Sequence, residues 1–159
     1  MKIAICPGSF DPVTAGHVDV VERAAQLFDR VYVCAMVNSD KSGGMFTPPQ
    51  RLALLKTALS HLPNVEVDCY SGLLADYARE KGARFLVKGI RNSRDFESEL
   101  EMYQVNCHLG DLETVFLPAR PKYLLCSSTV VRELLRYGQS TEHYLPPAVA
   151  EAAKHFLKS

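Results

Sequence analysis

No apolar run in the 159-residue chain approaches the roughly 20 residues needed to span a bilayer. No secretory leader pattern opens it either. A soluble, cytoplasmic protein with no membrane partner is expected. Charge of one sign is equally lacking, since 18 Lys and Arg balance 18 Asp and Glu. That balance removes the global basic field that holds duplex nucleic acid, so no nucleic-acid partner is expected and any anion must be bound by locally placed cations. The five cysteines, Cys6, Cys34, Cys69, Cys107 and Cys126, are dispersed and odd in number, without a C-x-x-C or other metal-ligand spacing. They read as buried thiols in a reducing compartment, and no metal held by the protein is expected. His61, His108, His143 and His155 are scattered and share no metal spacing. Neither G-x-G-x-x-G nor G-x-x-x-x-G-K-[ST] occurs, so dinucleotide and P-loop fingerprints are absent. Asp40 imitates the ribose-binding acid of a dinucleotide fold only weakly without those glycines.

What is present is a regular alternation. With 47% hydrophobic and 23% charged residues, the chain is long enough for one sizeable core, and a single domain over 1–159 is expected. Strand candidates run over Lys2 to Cys6, Val31 to Val37, Val65 to Tyr70, Arg84 to Lys88 and Thr114 to Leu117. The first, second and fourth are nearly continuous apolar runs, as expected where helices cover both faces of a parallel sheet. Between them, Val18, Val21, Ala25 and Phe28 form one helical stripe and Leu52, Leu55 and Leu59 another. Thr47 and Gln50 match a capping box with Pro48 at the first helical position. Ser71 is placed to cap a helix from Leu73 to Lys81 that Gly82 ends, and Ser127 or Ser128 a helix from Val130 to Tyr137 that Gly138 ends. A last amphipathic segment covers Ala148 to Leu157. The pattern predicts an α/β, doubly wound, Rossmann-like fold with a five-stranded parallel sheet. If the strand order is 3-2-1-4-5, the ligand crevice lies beyond the carboxyl ends of strands 1 and 4.

Two glycine-marked polar loops border that point. In "PGSFDPVTAGH", Gly8 and Gly16 clear space for a close approach, and the following helix start offers oriented N–H groups to a phosphate. Thr14 and His17, three residues apart, can face one anion; equally, the glycines and Pro12 are ordinary turn residues and His17 a solvated helix-start histidine. In "VKGIRN", Lys88 and Arg91 flank a glycine at a strand end, where packing does not explain them; the alternative is two solvated charges. Lys41, in "NSDKSGG", is either a phosphate-reaching cation or simply exposed. The third stretch, "YLLCSSTVVRE", sets Ser127, Ser128 and Thr129 at a helix start, more hydroxyls than one cap requires. Glu97, Glu99 and Glu101 point in different directions on the helix after the second loop, so most are solvated and one can reach a ligand. No catalytic triad or acid–base pair is visible.

T-x-G-H at Thr14 to His17, K-G-I-R-N at Lys88 to Asn92 and S-S-T-V-V-R-E at Ser127 to Glu133 together resemble the nucleotidyltransferase superfamily, and within it the bacterial phosphopantetheine adenylyltransferase family. The likeness covers essentially the whole chain, including P-G-S-F-D-P and M-F-T. It implies adenylyl transfer from ATP to 4′-phosphopantetheine, giving dephospho-coenzyme A and pyrophosphate. It also implies Mg2+ bound through the ATP phosphates, a homohexamer, and coenzyme A as a candidate feedback inhibitor. By motif, the resemblance assigns ATP contacts to Ser9, Phe10, His17, Gly89, Ile90, Arg91, Glu99 and the stretch Tyr123, Leu124, Leu125, Cys126, Ser127, Ser128 and Thr129. Phosphopantetheine falls to Ser9, Lys41, Leu74 and Lys88, and catalysis to His17, Lys41 and Arg91. Two departures stand out: the family often has Thr where Ser9 stands and Arg where Lys88 stands, so the hydroxyl is kept but the planar guanidinium fork is not. The attacking phosphate is already anionic near neutral pH, so positioning and charge stabilisation suffice without a general base. Rival readings are transfer to nicotinate mononucleotide or of a cytidylyl group, whose enzymes more often carry H-x-G-H. A nucleotide-binding module without turnover and, least favoured, a dehydrogenase complete the set.

Overall fold

The chain is represented by a computed structural model that describes residues 1–38 and 43–159. Asp40 and Lys41 therefore lie outside the described residues.

Successive side chains of a strand point to opposite faces of the sheet, and along the first two strands both faces are buried, so residues 4–6 and 31–35 are enclosed without a break. β1 (Ile3–Gly8), β2 (Arg30–Met36), β3 (Val65–Tyr70), β4 (Phe85–Ile90) and β5 (Glu113–Pro118) pair in parallel, in the order β3-β2-β1-β4-β5. Ala4, Cys6, Val31, Val33, Ala35 and Val87 turn to one face and join a core completed by α1 (Ala15–Leu27), α2 (Pro48–Leu59), α5 (Ser128–Arg136) and α6 (Pro147–Lys158). Ile5, Tyr32, Cys34 and Leu86 turn to the other, where α3 (Leu74–Lys81) covers them with Ala75, Tyr77 and Ala78. The expected doubly wound order and the helices on both faces are both present.

Strand limits differ from the sequence expectation by a residue or two. β1 runs on through Pro7 and Gly8 because the ladder with β2 continues, Pro7 opposite Cys34 and Gly8 opposite Ala35. Thr47 and Gln50 do form the capping box, and Ser127 caps α5 by accepting the Val130 N–H. Ser71 does not cap α3: Leu73 holds that position without a side-chain bond, and Gly72, at φ 143°, turns the chain between them. On α1 the buried residues are Asp19, Val21 and Ala24, followed by Phe28 at its C-cap, with Ala24 rather than Ala25 fully inside. Cys6, Cys34 and Cys126 are buried as expected, whereas Cys69 and Cys107 are only half-buried. In α4 (Ser93–Gly110), Asn106 is the one fully buried residue, and Phe96, Leu100, Met102, Val105 and Leu109 are exposed. No helix among the described residues is long and apolar enough to cross a membrane.

The feature that positions the site is a parting of strands. β1 pairs with β2 over six residues, but with β4 only at Ala4 opposite Phe85 and Ile5 opposite Leu86. Beyond those pairs the carboxyl ends of β1 and β4 diverge, at the point where the strand order reverses.

Candidate functional site

A crevice of about 480 Å³ opens between the diverging strand ends, lined by the loop after β1, the start of α1, the end of β4 and the segment before α5. It brings together Ser9, Phe10, His17, Lys88, Gly89, Arg91, Glu99, Tyr123, Cys126, Ser127, Ser128 and Thr129. Ile90, Leu124, Leu125 and Leu74, also singled out in the sequence, are not among the described residues that line it. Leu74 instead packs at the start of α3 against the second core.

The loop after β1 is held rigidly. Phe10 has φ 47°, a left-handed conformation that an L-residue adopts only where its surroundings impose it. Its ring is buried edge-on against His17 at 5.0 Å between centroids, and a Cβ on Gly8 would lie 3.1 Å from that ring. Next in sequence, the buried Asp11 carboxylate accepts the N–H groups of Met45 at 3.0 Å and Phe46 at 2.8 Å. Arg51 pairs with the same carboxylate at 3.4 Å and donates to the Phe46 carbonyl at 2.9 Å. A Cβ on Gly44 would overlap the Arg51 guanidinium and come within 2.5 Å of Asp11 Oδ2, so glycine is required there. From the other side, Arg132 donates to the Asp11 carbonyl and Ser128 to the Pro12 carbonyl, each at 2.8 Å. The chain thus fastens this loop to the β2–α2 connection and to α5.

His17 is oriented by its own helix start. Thr14, fully buried, is the N-cap of α1 and accepts the His17 N–H, while His17 Nδ1 accepts the Thr14 N–H at 3.0 Å. Thr14 is therefore not a second anion donor, as its spacing suggested, but the group that locks the histidine. An Nδ1 that accepts leaves the proton of the neutral ring on Nε2, where it can be donated away from the helix. Burial, and then the Arg91 and Lys88 charges, push the imidazole pKa down to about 4. The ring is thus a neutral donor at pH 7. The folded pKa lies below the usual 6.5, so the stabilising contribution is fully present above pH 6.5 and is lost as pH falls through about 4. Nitrogen-15 spectra of the ligand-free protein are expected to show the Nε2–H tautomer for His17 with no titration from pH 8 to about pH 5.5. A midpoint near 6.5 would mean that the ring is solvated and not locked.

The cations of the second loop have partners that the sequence reading missed. Lys88 pairs with Glu99 at 3.2 Å, and Arg91 forks onto Asp95 with contacts at 3.0 and 3.4 Å. All four side chains keep a partly exposed surface. Of the three α4 glutamates, Glu99 is the one turned into the crevice; Glu97 and Glu101 are exposed. Gly89 is demanded by packing, since a Cβ would sit 2.8 Å from Val20 Cγ2 on α1. The hydroxyls at 127–129 are all engaged: Ser127 in capping, Ser128 with Pro12, and Thr129 accepting from Arg132 at 3.2 Å. Their number is explained by these bonds, and an anion role rests on their position at the crevice wall. Arg132, Asp11 and Asp95 also line the crevice. Arg132 lay within the quoted motif and Asp95 sits four residues from Arg91, so both were legible; the clamp at Asp11 depends on a segment 34 residues away. Among the described residues, no three His, Cys, Asp or Glu side chains converge as a metal-holding group.

Comparison with known proteins agrees with this geometry. Residues 5–134 match the model of the cytidylyltransferase-like family. A phosphopantetheine adenylyltransferase of Corynebacterium diphtheriae is 47% identical over the full length of both chains, and one of Symbiobacterium thermophilum is 49% identical over 92% of this chain and 91% of its own. The crystal structure of a protein described as a nicotinate-nucleotide adenylyltransferase from Vibrio parahaemolyticus superposes with a TM-score of 0.70 over all of this chain and 98% of that one, at 22% identity, a likeness of fold. With its crevice at the switch point and nearly half its residues shared along its entire length, the chain belongs to the cytidylyltransferase-like family and, within it, to the phosphopantetheine adenylyltransferases.

Proposed function

We propose that the protein transfers the adenylyl group of ATP to the phosphate of 4′-phosphopantetheine, releasing pyrophosphate and forming dephospho-coenzyme A. The observation that carries the reading is a neutral, oriented His17 lining the same crevice as Lys88 and Arg91, with no catalytic nucleophile–base couple in it among the described residues. Such a site suits a reaction whose nucleophile is already an anion. The acceptor phosphate attacks the α-phosphorus in line, the bond to the bridging oxygen of pyrophosphate breaks, and no proton need be abstracted. His17 Nε2–H donates to the charge that develops on the transferred phosphoryl oxygens. Lys88 grips the incoming phosphate. Arg91, with the wall at 127–129, holds the β- and γ-phosphates. Each cation exchanges its carboxylate for a phosphate on binding, so Asp95 and Glu99 act as place-holders that keep Arg91 and Lys88 extended. Lys41 is assigned to the acceptor phosphate by resemblance. Magnesium enters with the triphosphate as part of the substrate, and its charge offsets that of the phosphates. The five free thiols suit a reducing cytoplasm. Coenzyme A, which carries the product skeleton, is proposed as a competitor at the same crevice.

Pyrophosphate release is expected with ATP and 4′-phosphopantetheine and not with nicotinate mononucleotide. The reverse preference would overturn the acceptor assignment. In the same assay Lys88→Ala is expected to raise KM for phosphopantetheine about tenfold or more, the scale of a lost charge-assisted phosphate contact, with KM for ATP changed far less.

Met102, Val105 and Leu109, exposed apolar side chains that helical spacing puts on one side of α4, support self-association, since contiguous exposed apolar surface marks interaction sites. We propose a homohexamer. Light scattering at assay concentration is expected to give six chains of 17.7 kDa each; a persistent monomer in the active fraction would refute it.

A further inference from the structure

Asp19 is only 4% exposed although it stands on α1 two residues beyond His17, beside Val18 and Val21. A buried carboxylate is costly unless its charge is met, and here each oxygen meets one arginine. Arg23 Nη1 lies 3.3 Å from Oδ2, and Arg120 Nε lies 3.3 Å from Oδ1. The same Arg23 nitrogen donates to the Pro118 carbonyl at 2.8 Å. Pro118 ends β5 and Arg120 precedes a 3-10 turn at Pro121–Tyr123, while Ala119 between them lines the crevice and donates its N–H to the Ile90 carbonyl at 2.8 Å. One carboxylate on α1 therefore fixes the chain where it leaves the sheet for the wall that carries Tyr123, Cys126 and Ser127. Neither arginine itself lines the crevice, so any influence on a ligand passes through that wall.

We propose that Asp19 is a positioning residue for nucleotide binding: through Arg23 and Arg120 it sets the spacing between the start of α1, which carries His17, and the wall from Ala119 to Ser127. The assignment of nucleotide to that wall rests on the adenylyl-transfer reading. A misplacement of about an ångström in a group that positions substrate can cost about 10²-fold, whereas Lys88, assigned to the acceptor phosphate, is held by Glu99 of α4 and contacts neither arginine of the clasp. The effect is therefore selective for one substrate, which a general loosening of the fold is not.

The test measures ATP binding by calorimetry without acceptor, and KM for both substrates, in Asp19→Asn, Arg120→Met and the double variant. The Kd for ATP is expected to rise about tenfold in each single variant, with KM for phosphopantetheine within about twofold. The double variant is expected to be no worse than Asp19→Asn, because the two groups act as one unit, and Arg120→Lys to recover most of the loss. If Asp19→Asn does not fold, Arg120→Met, at a half-exposed side chain, carries the test alone. An ATP Kd within about twofold of wild type, or equal weakening of both substrates, would overturn the proposal. Wild-type protein that binds ATP without turning over phosphopantetheine would remove the functional reading and leave the Asp19 result standing. Wild-type protein that binds no ATP would overturn both.

Discussion

Replacing His17 with alanine is expected to lower kcat by about 10²-fold or more while leaving the Kd for ATP within a few fold. Removing one preorganised donor from a site where negative charge develops costs about 10² to 10³ in turnover, and a group that acts on the transition state is felt in kcat more than in ground-state binding. The geometry supports this size of effect because the ring need not reorganise. Nδ1 is already satisfied by the Thr14 N–H at 3.0 Å, Phe10 closes one edge, and burial with the Arg91 and Lys88 charges holds the ring of the ligand-free protein neutral at pH 7. Stability changes little by comparison, since the substitution frees one N–H of a helix cap, worth about 1 kcal/mol. Steady-state kinetics with a melting curve for the same sample separates the two. Near-normal kcat in a folded variant would reduce His17 to a helix-start residue and remove the mechanism proposed for it.

The largest loss of stability is expected from Asp11→Ala. Its carboxylate and the Arg51 guanidinium are both almost fully enclosed, and the substitution strands that guanidinium together with the N–H groups of Met45 and Phe46. Breaking a buried pair from one side costs about 3 to 5 kcal/mol, because the remaining charge stays inside without a counter-charge, with only the Phe46 and Ser9 carbonyls left as acceptors. For a chain of this length, that corresponds to a fall in Tm of roughly 10 °C. Urea unfolding checks the free energy directly, and Asp11→Asn, which keeps an oxygen acceptor, is expected to lose less. A loss under about 1 kcal/mol would show that the clamp is solvated and that the loop carrying Ser9 and Phe10 is held by something else.

The sequence made the sheet legible because its strands are continuous apolar runs separated by helical stripes. Helix ends were legible where a local bond decides them, as at Thr47 with Gln50, and illegible where backbone conformation does, as at Ser71, which Gly72 separates from the true cap. For the site, the glycines and His17 stood out by residue type. Their meaning was only partly legible: Gly89 lines the crevice as its type suggested, but the packing of Val20 of α1 against it is a second reason for glycine that the sequence does not show, and Thr14 reads as an anion donor until its buried hydroxyl is found capping the helix. Lys88 and Arg91 looked unpartnered for a similar reason. Asp95 is one helical turn from Arg91, but Glu99 reaches Lys88 only because of how α4 lies on β4. Asp19 gave no sign of its role, since an acid within an apolar stripe is recognisable only once the buried face of α1 is known.

The pairing of Lys88 with Glu99 and Arg91 with Asp95 also bears on how anions arrive. Among the described residues that line the crevice, Lys88, Arg91 and Arg132 are matched by Asp11, Asp95 and Glu99, so these groups give little long-range attraction and association is expected to respond only weakly to ionic strength. A small inorganic anion offers each cation no more than its present partner does. A ligand gains by engaging several walls at once, so simple phosphates are expected to compete poorly for the crevice.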